Sequence, residues 1–148
     1  MTHRIFTIRM ILYIVLVVVG GVLLYTKFQL GLVRYFDIDE MTHIHWSHNF
    51  FSGFKPYTDF LYFIPPVFLA VLTPLFWFAG VSTKILLYSR ILAFVIFLLL
   101  LIFLFLVAAK IRNKLTGLLT VVIVLFLPIP ADKFLEVRPD TLSVACAL

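Results

Sequence analysis

The sequence predicts an all-α protein, a polytopic bundle of membrane helices with further helices lying at the outer membrane surface. Its 148 residues are 64% apolar and 13% charged, whereas soluble domains are about 45–50% apolar and about 25% charged. The apolar residues form four long stretches without charge, at 10–26, 61–83, 91–109 and 115–131. A core of this size could not hide that much apolar surface, so a soluble globular domain and a disordered chain are both excluded.

The first predicted element is an uncleaved membrane helix over about 10–26. It follows Arg4 and Arg9 and runs without interruption. A signal peptide would end in a small-x-small cleavage pattern, but the sequence here is Leu24, Tyr25 and Thr26. We therefore expect this helix to stay in the mature protein.

Basic residues predict the orientation of the chain. They cluster before the first stretch and again at 110–114, and cytoplasmic segments carry an excess of Lys and Arg. Both groups are expected to be cytoplasmic, so an even number of crossings separates them. The stretch 61–83 is the one expected not to cross, because prolines at 65, 66 and 74 remove backbone donors that hydrocarbon cannot replace. A membrane helix kinked at Pro74 is the alternative.

The predicted topology has spans at about 10–26, 89–109, 116–130 and an incomplete 141–148. The outer side holds the loop 27–88 with its juxtamembrane segments and the short loop 131–140. The net charge of +5 then reflects cytoplasmic basic residues and not a nucleic-acid site. We expect an integral protein of the plasma (inner) membrane with a cytoplasmic N-terminus, and we expect residues 1–148 to be the N-terminal part of a longer domain. All seven acidic residues are expected outside: Asp37, Asp39, Glu40, Asp59, Asp132, Glu136 and Asp140.

The outer loop opens with three carboxylates within residues 37–40, which form a candidate general base. The alternatives are a solvated acidic cluster or a helix cap at Asp39. Residues 40–52 can form a short helix with Glu40, His43 and Ser47 on one face. Histidines at 43, 45 and 48 invite a metal interpretation, but no third ligand is fixed by spacing and interfacial histidines are the alternative.

A second polar group is expected at the same outer surface. Arg90 stands at the outer mouth of the second span, where it can bind a lipid phosphate or reach to the interface. Asp140 can cap the last helix, and Arg138 lies two residues earlier. We expect these residues and the acidic run at 37–40 to meet, in a geometry suited to an anionic, lipid-linked substrate.

The order of these motifs resembles the N-terminal module of GT-C glycosyltransferases, in particular family 39 protein mannosyltransferases and the bacterial aminoarabinose transferases. The matching positions run across most of the chain: Asp39-Glu40, residues 53–59 (Gly-Phe-Lys-Pro-Tyr-Thr-Asp), Pro65-Pro66, Gly80-Val81-Ser82, Arg90 and Arg138-x-Asp140.

The resemblance implies transfer of a sugar from a polyprenyl- or dolichyl-phosphate carrier to a lipid, glycan or protein acceptor on the outer side. Asp39 would act as general base with support from Glu40. Arg90 and Arg138 would bind the carrier phosphate, and Asp140 the sugar or acceptor. No cofactor is implied, and a divalent metal is left open. We also expect Tyr57 and Asp59 of the matched run to contact substrate.

Two features depart from the family pattern. Many relatives carry a Lys before Pro-Pro that contacts the carrier phosphate, and this chain has Ile64 there. Relatives also have many more helices, so this segment is expected to be inactive alone. A transporter fragment and a non-catalytic scaffold remain alternatives, although the predicted spans lack the internal ionisable residues typical of transporters.

Overall fold

The computed structural model describes residues 2–127, 133 and 135–147, with side chains from residue 7 onward. Within these residues the chain folds into helices joined by turns, in agreement with the all-α prediction. Seven helices are described: α1 (Thr2–Val33), α2 (Ile38–Phe51), α3 (Val67–Leu72), α4 (Pro74–Ala79), α5 (Lys84–Ile111), α6 (Lys114–Phe126) and α7 (Pro139–Ala147).

Two helices are long and apolar enough to cross a membrane. In α1 the segment Thr7–Val33 has 27 residues and a mean hydropathy of 2.5, and α5 has 28 residues and a mean hydropathy of 3.5. At about 1.5 Å per residue, each exceeds the roughly 30 Å hydrocarbon thickness of a bilayer. Both helices extend beyond the predicted spans 10–26 and 89–109 at both ends.

The other two predicted spans form shorter helices. α6 has 13 residues and is capped by the preceding Asn113, whose side chain accepts the backbone N–H of Thr116 at 3.0 Å. It ends at Phe126, and residues 128–130 of the predicted span lie outside the described part of the chain. α7 has nine residues and begins at Pro139, so Asp140 lies in its first turn and is not the predicted cap.

The proline-rich segment 61–83 forms two six-residue helices, α3 and α4. Pro66 precedes α3, and Pro74 occupies the first turn of α4, a position where its missing N–H costs no helical bond. Gly80 ends α4 with a φ of 58°, which other residues adopt poorly. Neither helix approaches membrane length, because six residues span only about 9 Å.

α5 is the central helix of the fold. One cluster packs α2, α3 and α4 against its first half, and a second cluster packs α6 and α7 against its middle. α6 approaches α5 closely at Gly117, where an added Cβ would lie 2.8 Å from the carbonyl oxygen of Phe105. The first of these clusters consists of Ile44, Phe68, Leu72, Phe76, Ile85, Ala93 and Val137.

Candidate functional site

A buried ion pair holds one end of the bundle together. Glu40 in α2 is fully buried, and its Oε2 accepts a 2.8 Å bond from Nη2 of Arg90 in α5, which is also buried. The same carboxylate accepts the backbone N–H groups of Asp37 and Val137, both at 3.1 Å. Every oxygen of Glu40 is thus bonded, which offsets the cost of burying its charge.

The contacts of Arg90 differ from the sequence prediction, in which this residue binds the carrier phosphate. Its five N–H donors all go to acceptors of this chain, and its guanidinium carbon lies 3.7 Å from the ring centroid of Phe36. Three bonds of 2.7–2.9 Å reach backbone carbonyls at the end of α1 and just beyond it. The acceptors are Glu40 Oε1 and Oε2 and the carbonyl oxygens of Gly31, Arg34 and Tyr35.

Arg90 therefore serves as a structural connection and has no donor left for a phosphate. It satisfies carbonyls that the last turn of a helix leaves without partners. Together with Glu40 it joins the end of α1, the start of α2, the first half of α5 and the backbone before α7. These contacts set the relative positions of Asp39 and Arg138.

The N-terminus of α2 is capped two residues earlier than the predicted cap at Asp39. Asp37 precedes the helix, and its backbone N–H donates to the Glu40 side chain, as in a capping box. Asp39 instead lies in the first helical turn with its carboxylate exposed. The predicted helical face is confirmed, because Glu40, His43 and Ser47 are all buried.

The two predicted polar groups meet at the surface of the protein. Nη1 of Arg138 lies 3.2 Å from Oδ2 of Asp39, and its Nε donates to Oδ2 of Asp140 at 3.0 Å. Both carboxylates are more than half exposed, and both lie in the first turn of a helix. We call Asp39, Arg138 and Asp140 the surface triad. Surface ion pairs contribute only about 0–1 kcal/mol, so a ligand can replace either carboxylate at small cost.

Glu136 supports the triad from below and was missed by the sequence reasoning. It is 2% exposed and accepts bonds from Arg34 at 2.6 Å and Lys133 at 2.9 Å. Burial raises the pKa of Glu136, but the hydrogen bonds from Lys133 and Arg34 outweigh this and hold the pKa below its ordinary value of 4.5. Glu136 also lies 3.4 Å from Arg138, so a stable anion fixes that guanidinium from its inner side. No short-range motif distinguished it from other loop acids.

His43 and Tyr62 belong to a cluster of packed aromatic side chains that continues from α2 into the segment before α3. The His43 ring makes edge contacts with Tyr62 and Phe68, at centroid distances of 6.4 and 5.5 Å. Trp46 lies 4.9 Å from Tyr62. Burial raises the pKa of Tyr62 to about 12, with a further contribution from Tyr57. Within the described part of the chain, His43 Nδ1 and the Tyr62 hydroxyl are buried without hydrogen-bond partners.

The burial of His43 predicts a pH-dependent stability. Desolvation lowers the pKa of His43 below 6.5; Asp39 and Asp140 act in the opposite direction, and Arg138 in the same one. The unfolded chain then binds a proton that the folded chain resists, so stability is lost as the pH falls below 6.5. We expect the melting temperature in detergent to fall between pH 7.5 and 5.5, with a smaller fall in His43→Phe. Equal falls in the parent and His43→Phe would contradict this, and His45→Phe, an exposed site on the same helix, is the control.

Tyr57 and Asp59 lie in the loop between α2 and α3. The Asp59 carboxylate accepts the Lys55 N–H at 2.7 Å, and the Tyr57 hydroxyl donates to the Ile64 carbonyl at 2.8 Å. These bonds stabilise the loop itself, including the positive φ of 71° at Tyr57. None of these hydrogen bonds connects Tyr57 or Asp59 to the surface triad.

Among the described residues there is no group of three or more His, Cys, Asp or Glu side chains that could hold a metal ion. Asp132 lies outside the described residues.

Comparison with protein-family models, with curated proteins and with solved structures found no match for this chain. The features of the chain that bear on function are the surface triad, the buried Glu40–Arg90 pair and the apolar helices.

Proposed function

We propose that this chain is part of an integral membrane glycosyltransferase, which moves a sugar from a polyprenyl-phosphate carrier to an acceptor hydroxyl at the non-cytoplasmic face. The observation that carries the proposal is the surface triad. A cation lies between two exposed carboxylates, each at the start of a helix, and a buried ion pair holds the helices in register. Such a site places a proton acceptor and a cation that can bind phosphate within a few ångströms of each other.

The apolar surface supports a membrane location. Large side chains of α1 such as Val18 and Val22 are about 60% exposed, and α5 exposes Leu99 and Ile102 by about half. Water would be a poor solvent for so continuous an apolar surface. The basic residues at 110–114 lie at the end of α5 opposite the triad, which favours an orientation with that end and the N-terminus in the cytoplasm of a plasma (inner) membrane.

The proposed chemistry is a displacement at the anomeric carbon of the carrier-bound sugar. The acceptor oxygen forms the new bond, the bond from the anomeric carbon to the phosphate oxygen breaks, and the carrier phosphate leaves with the electron pair. Asp39 accepts the acceptor's proton as general base. Arg138 neutralises the departing phosphate, because guanidinium binds phosphate in a bidentate manner. Asp140 accepts a hydrogen bond from a hydroxyl group of the sugar or acceptor.

This arrangement divides the predicted roles differently among the residues. Arg138 takes the phosphate contact alone, because Arg90 has no free donor. Glu40 does not touch the substrate and acts as a positioning residue for Asp39 through its bonds to Arg90 and Val137. Ile64 stands in the place of the family's lysine and cannot bind the carrier phosphate as that lysine does. Arg138, the cation of the triad, takes that contact in the proposed scheme.

The test is sugar transfer from a polyprenyl-phosphate donor, measured in membranes containing the complete protein. We expect Arg138→Gln to raise the KM for the donor about 10- to 100-fold, because a hydrogen bond to a charged group is worth about 1.5–3 kcal/mol. The matched control is Arg112→Gln, at an exposed arginine outside the triad. Absence of transfer by the parent protein, or an unchanged KM in Arg138→Gln, would refute the proposal and favour a scaffold.

A further inference from the structure

A cavity of about 380 Å³ opens beside the C-terminal end of α1. Binding pockets for small molecules usually measure about 300–1,000 Å³, so this space can hold the headgroup of a lipid. None of the triad residues is among the described residues that line it. These are Leu30, Gly31 and Val33 of α1, Arg34 directly after that helix, and Leu135 in the segment before α7.

The cavity has a cationic side. The Arg34 side chain is 25% exposed and donates to Oε1 of Glu136 at 2.6 Å. Lys133 is half exposed and reaches the same oxygen at 2.9 Å, so the two cations lie close together against one buried carboxylate. Asp37 approaches Lys133 only to 3.9 Å and compensates its charge weakly. Arg138, also in contact with Glu136, is paired with the two carboxylates of the triad. An anion beside Arg34 and Lys133 would therefore be attracted by both.

The depth of the cavity along α1 matches the headgroup layer of a bilayer. The apolar segment Thr7–Val33 has 27 residues and is therefore about 40 Å long, close to the thickness of a bilayer with its headgroups. Arg34 follows the last residue of this segment, so in a membrane it lies at the level of the lipid phosphates. Leu30 and Val33 are 55% and 83% exposed, and they continue the apolar surface of α1 from the cavity toward the bilayer. A cation above an apolar wall matches an amphiphile.

We propose that this cavity binds an anionic phospholipid, with its phosphate beside Arg34 and Lys133 and an acyl chain along Leu30 and Val33. Guanidinium and ammonium groups bind phosphate well, and basic pockets beside membrane helices bind lipid headgroups. The lipid is not a substrate in this scheme. It stabilises the end of α1 against the segment that carries Glu136. The inference rests on the membrane location proposed above and not on sugar transfer.

The test measures lipid binding to the full chain in detergent by native mass spectrometry. The probes are phosphatidylglycerol and phosphatidylcholine with identical acyl chains, because choline cancels the charge of the phosphate. We expect the first phosphatidylglycerol to bind about 10-fold more tightly, since a hydrogen bond between charged groups contributes at least that factor. Equal affinities in the parent chain would overturn the proposal without any variant. Displacement of phosphatidylglycerol by an equal concentration of glycerol phosphate would indicate a site for soluble phosphates and would also overturn it.

Two variants locate the bound lipid. Lys133→Gln removes a half-exposed cation and should reduce the preference for phosphatidylglycerol about 3- to 10-fold. Gly31→Leu narrows the cavity without changing any charge, because an added Cβ already lies 3.7 Å from Leu135 and the rest of the side chain needs further space. It should weaken phosphatidylglycerol binding about 10-fold. The matched control is Gly21→Leu on the same helix, where an added Cβ has nothing within 4 Å. Parent-like binding in both Lys133→Gln and Gly31→Leu would place the lipid elsewhere and overturn the proposal.

The outcomes separate this proposal from the proposed function. A phosphatidylglycerol preference that Gly31→Leu abolishes, without transfer from a polyprenyl-phosphate donor, supports the lipid site and refutes the transferase. Transfer that depends on Arg138, without any lipid preference, supports the transferase and overturns the lipid site.

Discussion

Replacing Arg90 by leucine is expected to lower the free energy of unfolding by about 3–5 kcal/mol, because it leaves the fully buried Glu40 carboxylate without its cation. The change also removes three hydrogen bonds to carbonyls of Gly31, Arg34 and Tyr35 at the end of α1. Denaturant unfolding of the detergent-solubilised chain, followed by tryptophan fluorescence, measures the loss.

Three further variants identify the cause of that loss. Arg112→Leu removes an exposed arginine and should change stability by no more than about 0.5 kcal/mol. Arg90→Lys keeps the charge with three donors in place of five and should remain destabilised. The double variant Arg90→Leu with Glu40→Leu should recover part of the loss, since no uncompensated charge remains. A single Arg90→Leu variant as stable as Arg112→Leu would refute the structural role of the pair.

Replacing Asp39 by asparagine is expected to reduce sugar transfer by the complete protein about 10²- to 10⁴-fold, the usual contribution of a general base. The fold should be unaffected, because the Asp39 carboxylate is more than half exposed and its ion pair with Arg138 is a surface one. The turnover number should fall with little change in the KM for the donor, in contrast to Arg138→Gln.

The control for this substitution is Met41→Leu, at an exposed position on the same helix. Asp39→Glu keeps a carboxylate with a longer side chain and should retain more activity than Asp39→Asn. Full turnover in Asp39→Asn, with unchanged melting temperature, would remove Asp39 as the base and leave the triad as a binding site only.

Local periodicity predicted the parts of the site that depend on one helix. The spacing of Glu40, His43 and Ser47 indicated a common face, and all three are buried. The prolines at 66 and 74 indicated that 61–83 would not be one long helix, and it forms two short ones. The approach of the acidic run at 37–40 to Arg138 was also expected, and Arg138 lies 3.2 Å from Asp39.

Contacts between distant segments could not be predicted in this way. Arg90 was expected to face a ligand, but carbonyls 55 to 59 residues earlier in the chain surround it. Whether an arginine at a helix mouth faces outward or inward depends on which helix end packs against it, and a single sequence does not contain that information. The same holds for Glu136, whose partner Arg34 lies 102 residues away.

The bonds of Glu40 have a consequence for how the protein is made. Its partner Arg90 is 50 residues further along the chain, and the Val137 amide is 97 residues further. At a synthesis rate of about 5–20 residues per second, the ribosome needs roughly 5–20 s after Glu40 to reach Val137. During that interval the Glu40 carboxylate of α2 lacks the hydrogen bond from the Val137 amide. A chaperone or the insertion machinery acting on the nascent chain would meet α2 in this incomplete form.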